Sequence, residues 1–194
     1  MGRLIFNEIM ANPVPSNGLP EYEYIELFNP GTDTVFTEGW KLTLNEKTVT
    51  MPADTIPPKS YALVGGTTAM SNFNVYGKTI AITSFPALLN DGMLLRLYDQ
   101  QENLIGFANY TKEWYNDSIR NVGGYSLECI DYSNLAEGKN NWRASIASEG
   151  GTPCALNSVM AINPDVTPPQ LYYIEVPDAK TIRLCFSESM DSLT

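Results

Sequence analysis

The chain has 194 residues, of which 43% are hydrophobic and 18% charged; its formal net charge is -10 and it contains no histidine. This length and hydrophobic content allow one large domain, or one domain and part of another. Serine–histidine and cysteine–histidine catalysis are excluded, and the lack of any Lys/Arg cluster argues against nucleic acid and anionic membranes as partners.

Alternating apolar and polar runs separated by turn residues dominate the chain, and this pattern predicts strands. Strand-like sequence begins at Arg3 with no visible signal peptide. Met1-Gly2 is read as an added start, so that absence carries no information on natural location. The first strand is expected over Leu4 to Met10, closed by Asn12-Pro13, and the second over Tyr22 to Asn29, closed by Pro30-Gly31. Further strands are expected at Trp40–Leu44, Thr48–Met51, Tyr61–Val64, Thr79–Ile82, Met93–Tyr98, Leu104–Tyr110 and Tyr125–Ile130. Residues 66–76 and 132–148 read as longer loops with at most one helical turn each. No segment approaches the length of a membrane span.

This spacing suits an all-β, two-sheet sandwich over residues 3–162. Ile5, Ile25, Leu27, Trp40, Leu42, Leu63, Leu95, Leu97 and Leu127 are its expected core. Residues 163–170, Asn163-Pro164-Asp165-Val166-Thr167-Pro168-Pro169-Gln170, read as a linker, because proline interrupts both helix and central strand. Residues 171–194 follow as an incomplete unit. Its two strands, Leu171–Val176 and Thr181–Phe186, are expected to form a hairpin that docks through Ile182, Leu184 and Phe186 on a sandwich.

Several motifs coincide in order: Phe6-Asn7-Glu8-Ile9, Tyr24-Ile25-Glu26-Leu27-Phe28-Asn29-Pro30-Gly31, Gly39-Trp40, Ser126-Leu127-Glu128, Asn141-Trp142, and Thr152-Pro153 with Asn157-Ser158. In that order and spacing, residues 3–160 resemble the lamin-tail domain as found in bacterial proteins. The resemblance implies an immunoglobulin-like sandwich and a non-catalytic role. It also marks Asn7, Glu8, Glu26, Leu27, Asn29, Pro30, Trp40, Ser126, Leu127, Trp142, Thr152, Pro153 and Asn157 as signature positions. Two departures stand out. Cys154 occupies a place where the family has glycine, and Ile105-Gly106-Phe107 replaces a stretch that tends to carry an acid. The tail from Thr167 to Glu188 resembles the opening of a bacterial Ig-like repeat.

Glu8 and Glu26 have the residue types of a glycosidase acid pair, but each sits beside turn-forming Asn and Pro, and both are read as structural. Trp40 and Trp142 are read as core. Trp114-Tyr115, in the polar loop Thr111–Asp117, is the candidate exposed platform for a sugar or protein partner, with a loop lid as the alternative. No metal or cofactor site is expected, since there is no CxxC pair and no calcium-loop array. Cys129 and Cys154, both within the sandwich, are the only candidate pair for a disulfide, and the sequence does not decide whether they bridge; Cys185 is expected to be a free thiol. Four triplets, at Thr34, Thr55, Ser118 and Ser192, read Asp, hydroxyl, aliphatic. They resemble a bacterial O-glycosylation acceptor used outside the cytoplasm; turn chemistry is the other account.

The chain is accordingly expected to be a non-catalytic interaction or scaffold module of an exported, multidomain bacterial protein, at the cell surface or in the periplasm, with a protein or glycan surface partner. The alternatives are a carbohydrate-binding module and an accessory domain of an exported hydrolase. No nucleic acid and no membrane insertion are expected. A dimer through residues 171–186 would reflect the bare edges of an incomplete unit rather than native assembly.

Overall fold

The computed structural model describes residues 4–134, 138–166 and 168–186. In chain order the strands are β1 (Ile5–Met10), β2 (Tyr24–Phe28), β3 (Val35–Phe36), β4 (Lys41–Leu44), β5 (Lys47–Thr50), β6 (Thr55–Ile56) and β7 (Tyr61–Gly66). After a short helix α1 (Thr67–Phe73) come β8 (Thr79–Ile82), β9 (Gly92–Tyr98), β10 (Leu104–Thr111), β11 (Leu127–Cys129), β12 (Trp142–Ala144), β13 (Leu171–Asp178) and β14 (Thr181–Phe186). Two sheets build the sandwich. One runs β12-β11-β1-β2-β7-β8 and the other β10-β9-β4-β5. All pairings are antiparallel except β7 with β8, which α1 joins as a crossover.

The alternation of β9 explains its place. Met93, Leu95 and Leu97 point into the space between the sheets, while Leu94, Arg96 and Tyr98 point out. Facing them are Ile9, Ile25, Leu27, Val64 and Leu127 from the larger sheet, with Leu42 and Leu44 beside them. Each fully buried leucine here contributes about 1.5–3 kcal/mol. The nine residues expected in the core are all buried, although Leu63 packs on the far side of its sheet.

Strands β1 and β2 are buried along their whole length, so both of their faces are covered. On the outer face, Met10, Tyr24 and Leu63 pack under Ala69, Met70 and Phe73 of α1. Beside them Glu8, Glu26 and Glu128 lie under residues 151–159, which carry no regular secondary structure, and Phe28 packs on Tyr61 and Tyr132. The loop expected over 132–148 contains β12, and the loop expected over 66–76 contains α1. β3 and β6, which pair as a two-residue ribbon, were outside the expected strands.

β13 and β14 form the expected hairpin, in the register Tyr173↔Cys185, Ile174↔Leu184 and Glu175↔Arg183. Its docking side is the reverse of the expected one. Ile182 is 68% exposed and Leu184 51%, and of the three expected contacts only Phe186 is half-buried, whereas Cys185 on the other face is buried. The physical reason is the surface it meets. The outer face of β9 and β10 offers Arg96 and Phe107, which pair with Glu175 and Tyr172 rather than with aliphatic side chains. Residues 187–194 of this unit lie outside the described residues.

Candidate functional site

The register of three central strands brings three carboxylates together. Glu8 of β1 stands opposite Glu26 of β2 on one side and Glu128 of β11 on the other. A bulge between Phe6 and Glu8 shifts the alternation of β1, so Ile9 faces the core and Glu8 the outer face. All three acids are fully buried.

Residues 151–159 bury them. Glu8 Oε1 accepts the Thr152 backbone N–H at 2.9 Å and the Tyr24 hydroxyl at 2.6 Å. Glu26 Oε2 accepts the Cys154 N–H at 2.5 Å, while Asn7 Nδ2 donates to its other oxygen at 2.8 Å. Glu128 Oε2 accepts the Ser158 hydroxyl at 2.8 Å and the Val159 N–H at 3.2 Å. Between these anchors, Asn157 Nδ2 donates to the carbonyls of Asn7 and Cys129 and its Oδ1 accepts from Asn7 Nδ2. A segment with no ladder of its own thus has its polar backbone served by side chains of the sheet.

This setting shapes the acids. Burial first, and then the nearby Glu128, push the Glu8 carboxyl up to about 7, against the pull of its donors. Glu26 is raised well above the carboxylate range by burial and then by Glu8. Tyr24 is raised by burial and by Glu8. Raised values of this kind suit an active site, but these oxygens face the chain's own backbone and present no surface to a substrate.

The other signature residues take structural places. Asn29 Nδ2 donates to the carbonyls of Asp33, Ile56 and Pro57, and its Oδ1 accepts the Gly31 N–H, which fixes the turn after β2. The Pro30 carbonyl accepts from Lys59 Nζ. Leu27, Leu127, Trp40 and Trp142 are in the core, and Pro153 is a buried member of the 151–159 segment. The Ser126 N–H donates to the Gly150 carbonyl at 2.8 Å, so it tethers the approach to that segment. Cys154 holds φ at 59°. The backbone therefore keeps the left-handed turn that favours glycine, and the cysteine adopts it.

Trp114 and Tyr115 do not form an exposed platform. A 3-10 turn over Lys112–Tyr115 sends Tyr115 inward, where it is 3% exposed. Trp114 is half-buried and packs against Trp142, with 5.8 Å between ring centroids. The tighter turn lets adjacent side chains diverge, one into the core and one over its edge. An open groove of about 670 Å3 lies elsewhere, lined by Asn12, Glu21, Tyr22, Glu23, Ser84 and Phe85 among others. Of the sequence motifs only the Asn12-Pro13 turn lines it, and none of the candidate catalytic, binding or glycosylation residues does.

The hydroxyl triplets differ in their surroundings. Val35 and Ile56 are core residues paired across β3 and β6, so Thr34 and Thr55 carry the polar side of an alternation. Ser118 is exposed and is followed by Ile119, itself 78% exposed. Ser192 lies outside the described residues. Cys129, Cys154 and Cys185 are free thiols, and burial pushes both Cys129 and Cys154 up to about 12. Among the described residues no group of three or more His, Cys, Asp or Glu side chains could hold a metal ion, and no helix is long and apolar enough to cross a membrane.

The sequence singled out Glu8, Glu26, Thr152 and Asn157 without the link between them. Glu128 was quoted in its motif and not carried forward as a site. Its signal was the alternation Ser126-Leu127-Glu128, which sets both polar residues against the core side of Leu127. In the comparison with protein families, the model named Lamin Tail Domain matches residues 1–112, more than half of the chain. No curated protein matches it. The matched stretch ends after β10, so β11, β12 and the 151–159 segment lie beyond it.

Proposed function

The chain belongs to the lamin tail domain family, and from that premise we propose that it is a non-catalytic interaction and scaffold module of an exported, multidomain bacterial protein, at the cell surface or in the periplasm. One observation carries the non-catalytic part: the clustered acids are fully buried and their oxygens are engaged by residues 151–159. Acid–base catalysis requires a reacting group within hydrogen-bond reach, and here that reach is taken by backbone. A rigid sandwich that presents loops is the arrangement that remains.

The test pairs a panel of chromogenic glycoside and ester substrates with a glycan array. This reading expects no turnover and no glycan retention. Turnover that disappears in Glu8→Gln would overturn it. Glycan retention that disappears in Trp114→Ala would replace it with a carbohydrate-binding module.

Export is supported by the acceptor-like triplets, and among the described hydroxyls Ser118 and Thr34 are both exposed. Expression in an exporting host that performs this O-glycosylation is expected to add glycan mass at Ser118 before Thr55, which is half-buried in β6. An intact mass equal to the bare polypeptide would refute the modification.

A further inference from the structure

Residues 151–159 cross the outer face of the larger sheet as a strap fastened at three carboxylates. Those carboxylates are neighbours in register, Glu26 beside Glu8 beside Glu128. The other titratable groups that act on them are the phenols of Tyr24 and Tyr61 and the thiol of Cys154, none of them cationic. Arg143 stands opposite Glu128 in register, but it is exposed and takes part in none of the ion pairs among the described residues. Three adjacent buried anions without a cation are a strongly unfavourable arrangement.

Counting hydrogens points the same way. Thr152 has one hydroxyl hydrogen, yet its Oγ1 lies 3.0 Å from Glu128 Oε1 and 3.4 Å from Glu8 Oε2. One hydrogen cannot serve two ionised oxygens. A proton on Glu8 Oε2 resolves this, because Glu8 then donates to Thr152 Oγ1 and Thr152 donates to Glu128 Oε1.

We propose that a proton held on Glu8 Oε2, and relayed through the Thr152 hydroxyl to Glu128, is the fastener of the strap, so that losing it to water releases residues 151–159 while both sheets stay folded. The strap is then closed in acid and near-neutral solution and opens as pH rises. The direction follows because a carboxyl that binds its proton more tightly in the closed state favours that state below its titration and disfavours it above.

The experiment is hydrogen exchange on the whole chain, read as protection factors so that intrinsic base catalysis is divided out. The amides of Thr152, Cys154 and Val159 are expected to hold full protection at about pH 5 and to lose about tenfold per pH unit once the proton is lost. The amides of β1, β2 and β9 are expected to stay protected throughout. In Glu8→Gln the side-chain amide donates to Thr152 without titrating, so the loss of strap protection between about pH 5 and pH 8 is expected to disappear. Should that variant fail to fold, the infrared carbonyl band of a protonated carboxyl in the unsubstituted chain provides a second readout. It is expected at neutral pH and is expected to vanish as strap protection falls. Flat protection from about pH 5 to pH 9, equal loss in strap and sheets, unchanged pH dependence in Glu8→Gln, or no such band would each overturn the proposal.

Discussion

Asn157 is a residue whose side chain replaces a stretch of secondary structure. It joins the carbonyls of Asn7 and Cys129, on adjacent strands, to a segment that has no ladder. In Asn157→Ala two buried carbonyls lose that donor and Asn7 loses an acceptor, and the expected loss is about 2–4 kcal/mol. Chemical denaturation with an unchanged m-value would check it. Glu8 gives the second expectation at this scale. Its folded value of about 7 lies above the ordinary carboxylate range. Stability it contributes is therefore complete below about pH 4 and is lost as pH rises through neutrality. Urea midpoints at about pH 5 and about pH 8 should fall in that order; a higher midpoint at the alkaline value would contradict it. The structural reading of Glu8 and Glu26 was available from the sequence, because turn residues flank both. Their meeting with Glu128 was not, since it depends on a bulge and on pairing across more than a hundred residues. Tyr115 eluded the sequence for a related reason: period 2 says nothing about which way a 3-10 turn sends its side chains.

Among the elements, those with long alternation were legible and those without it were not. β9 alternates cleanly over seven residues, and its inward leucines were identified. β1 and β2 could be read as strands, but not as strands covered on both faces, because their outer covering comes from α1 and from residues 151–159. β3, β6 and β12 span two or three residues each, too few to show a period. The strap depends on its entry turn. Gly150 has φ +92°, and a Cβ there would stand 1.9 Å from the Gly124 carbonyl oxygen. Gly150→Ala must therefore move the backbone that carries Ser126 and Thr152, at an expected cost of about 2–4 kcal/mol. The same change at Gly66, where a Cβ meets nothing closer than 3.8 Å, serves as the control in a thermal melt.

For the whole molecule, the hairpin β13–β14 is attached by a small contact. Arg96 pairs with Glu175 at 3.3 Å and lies over the Tyr173 ring, and Tyr172 packs on Phe107. A partly exposed ion pair and one cation–π contact contribute about 1 kcal/mol each at most. Arg96→Ala is expected to detach the hairpin, seen as faster proteolysis between residues 163 and 170, with the melting of the sandwich little changed. The hairpin also leaves Ile174, Val176, Ile182 and Leu184 uncovered. Self-association through that face is expected to weaken in Ile182→Ser/Leu184→Ser, as measured by light scattering. Equal oligomer content in the double variant would remove the hairpin from any dimer contact. That the hairpin would dock was legible from its composition; which face would dock was not, because Arg96 is placed opposite it only by the fold.

Asn7 and Asn157 touch across 150 residues of chain. A polypeptide that leaves the ribosome, or crosses a translocation pore, N-terminus first therefore presents β1 and β2 long before their covering exists. Until residues 151–159 emerge, Glu8 and Glu26 remain hydrated and the outer face of the sheet stays wet. β1 also keeps one edge unpaired until β11 arrives. Premature termination anywhere before the strap should yield an aggregation-prone, protease-sensitive product rather than a smaller stable domain. The last few residues of the sandwich thus act as its quality checkpoint during synthesis.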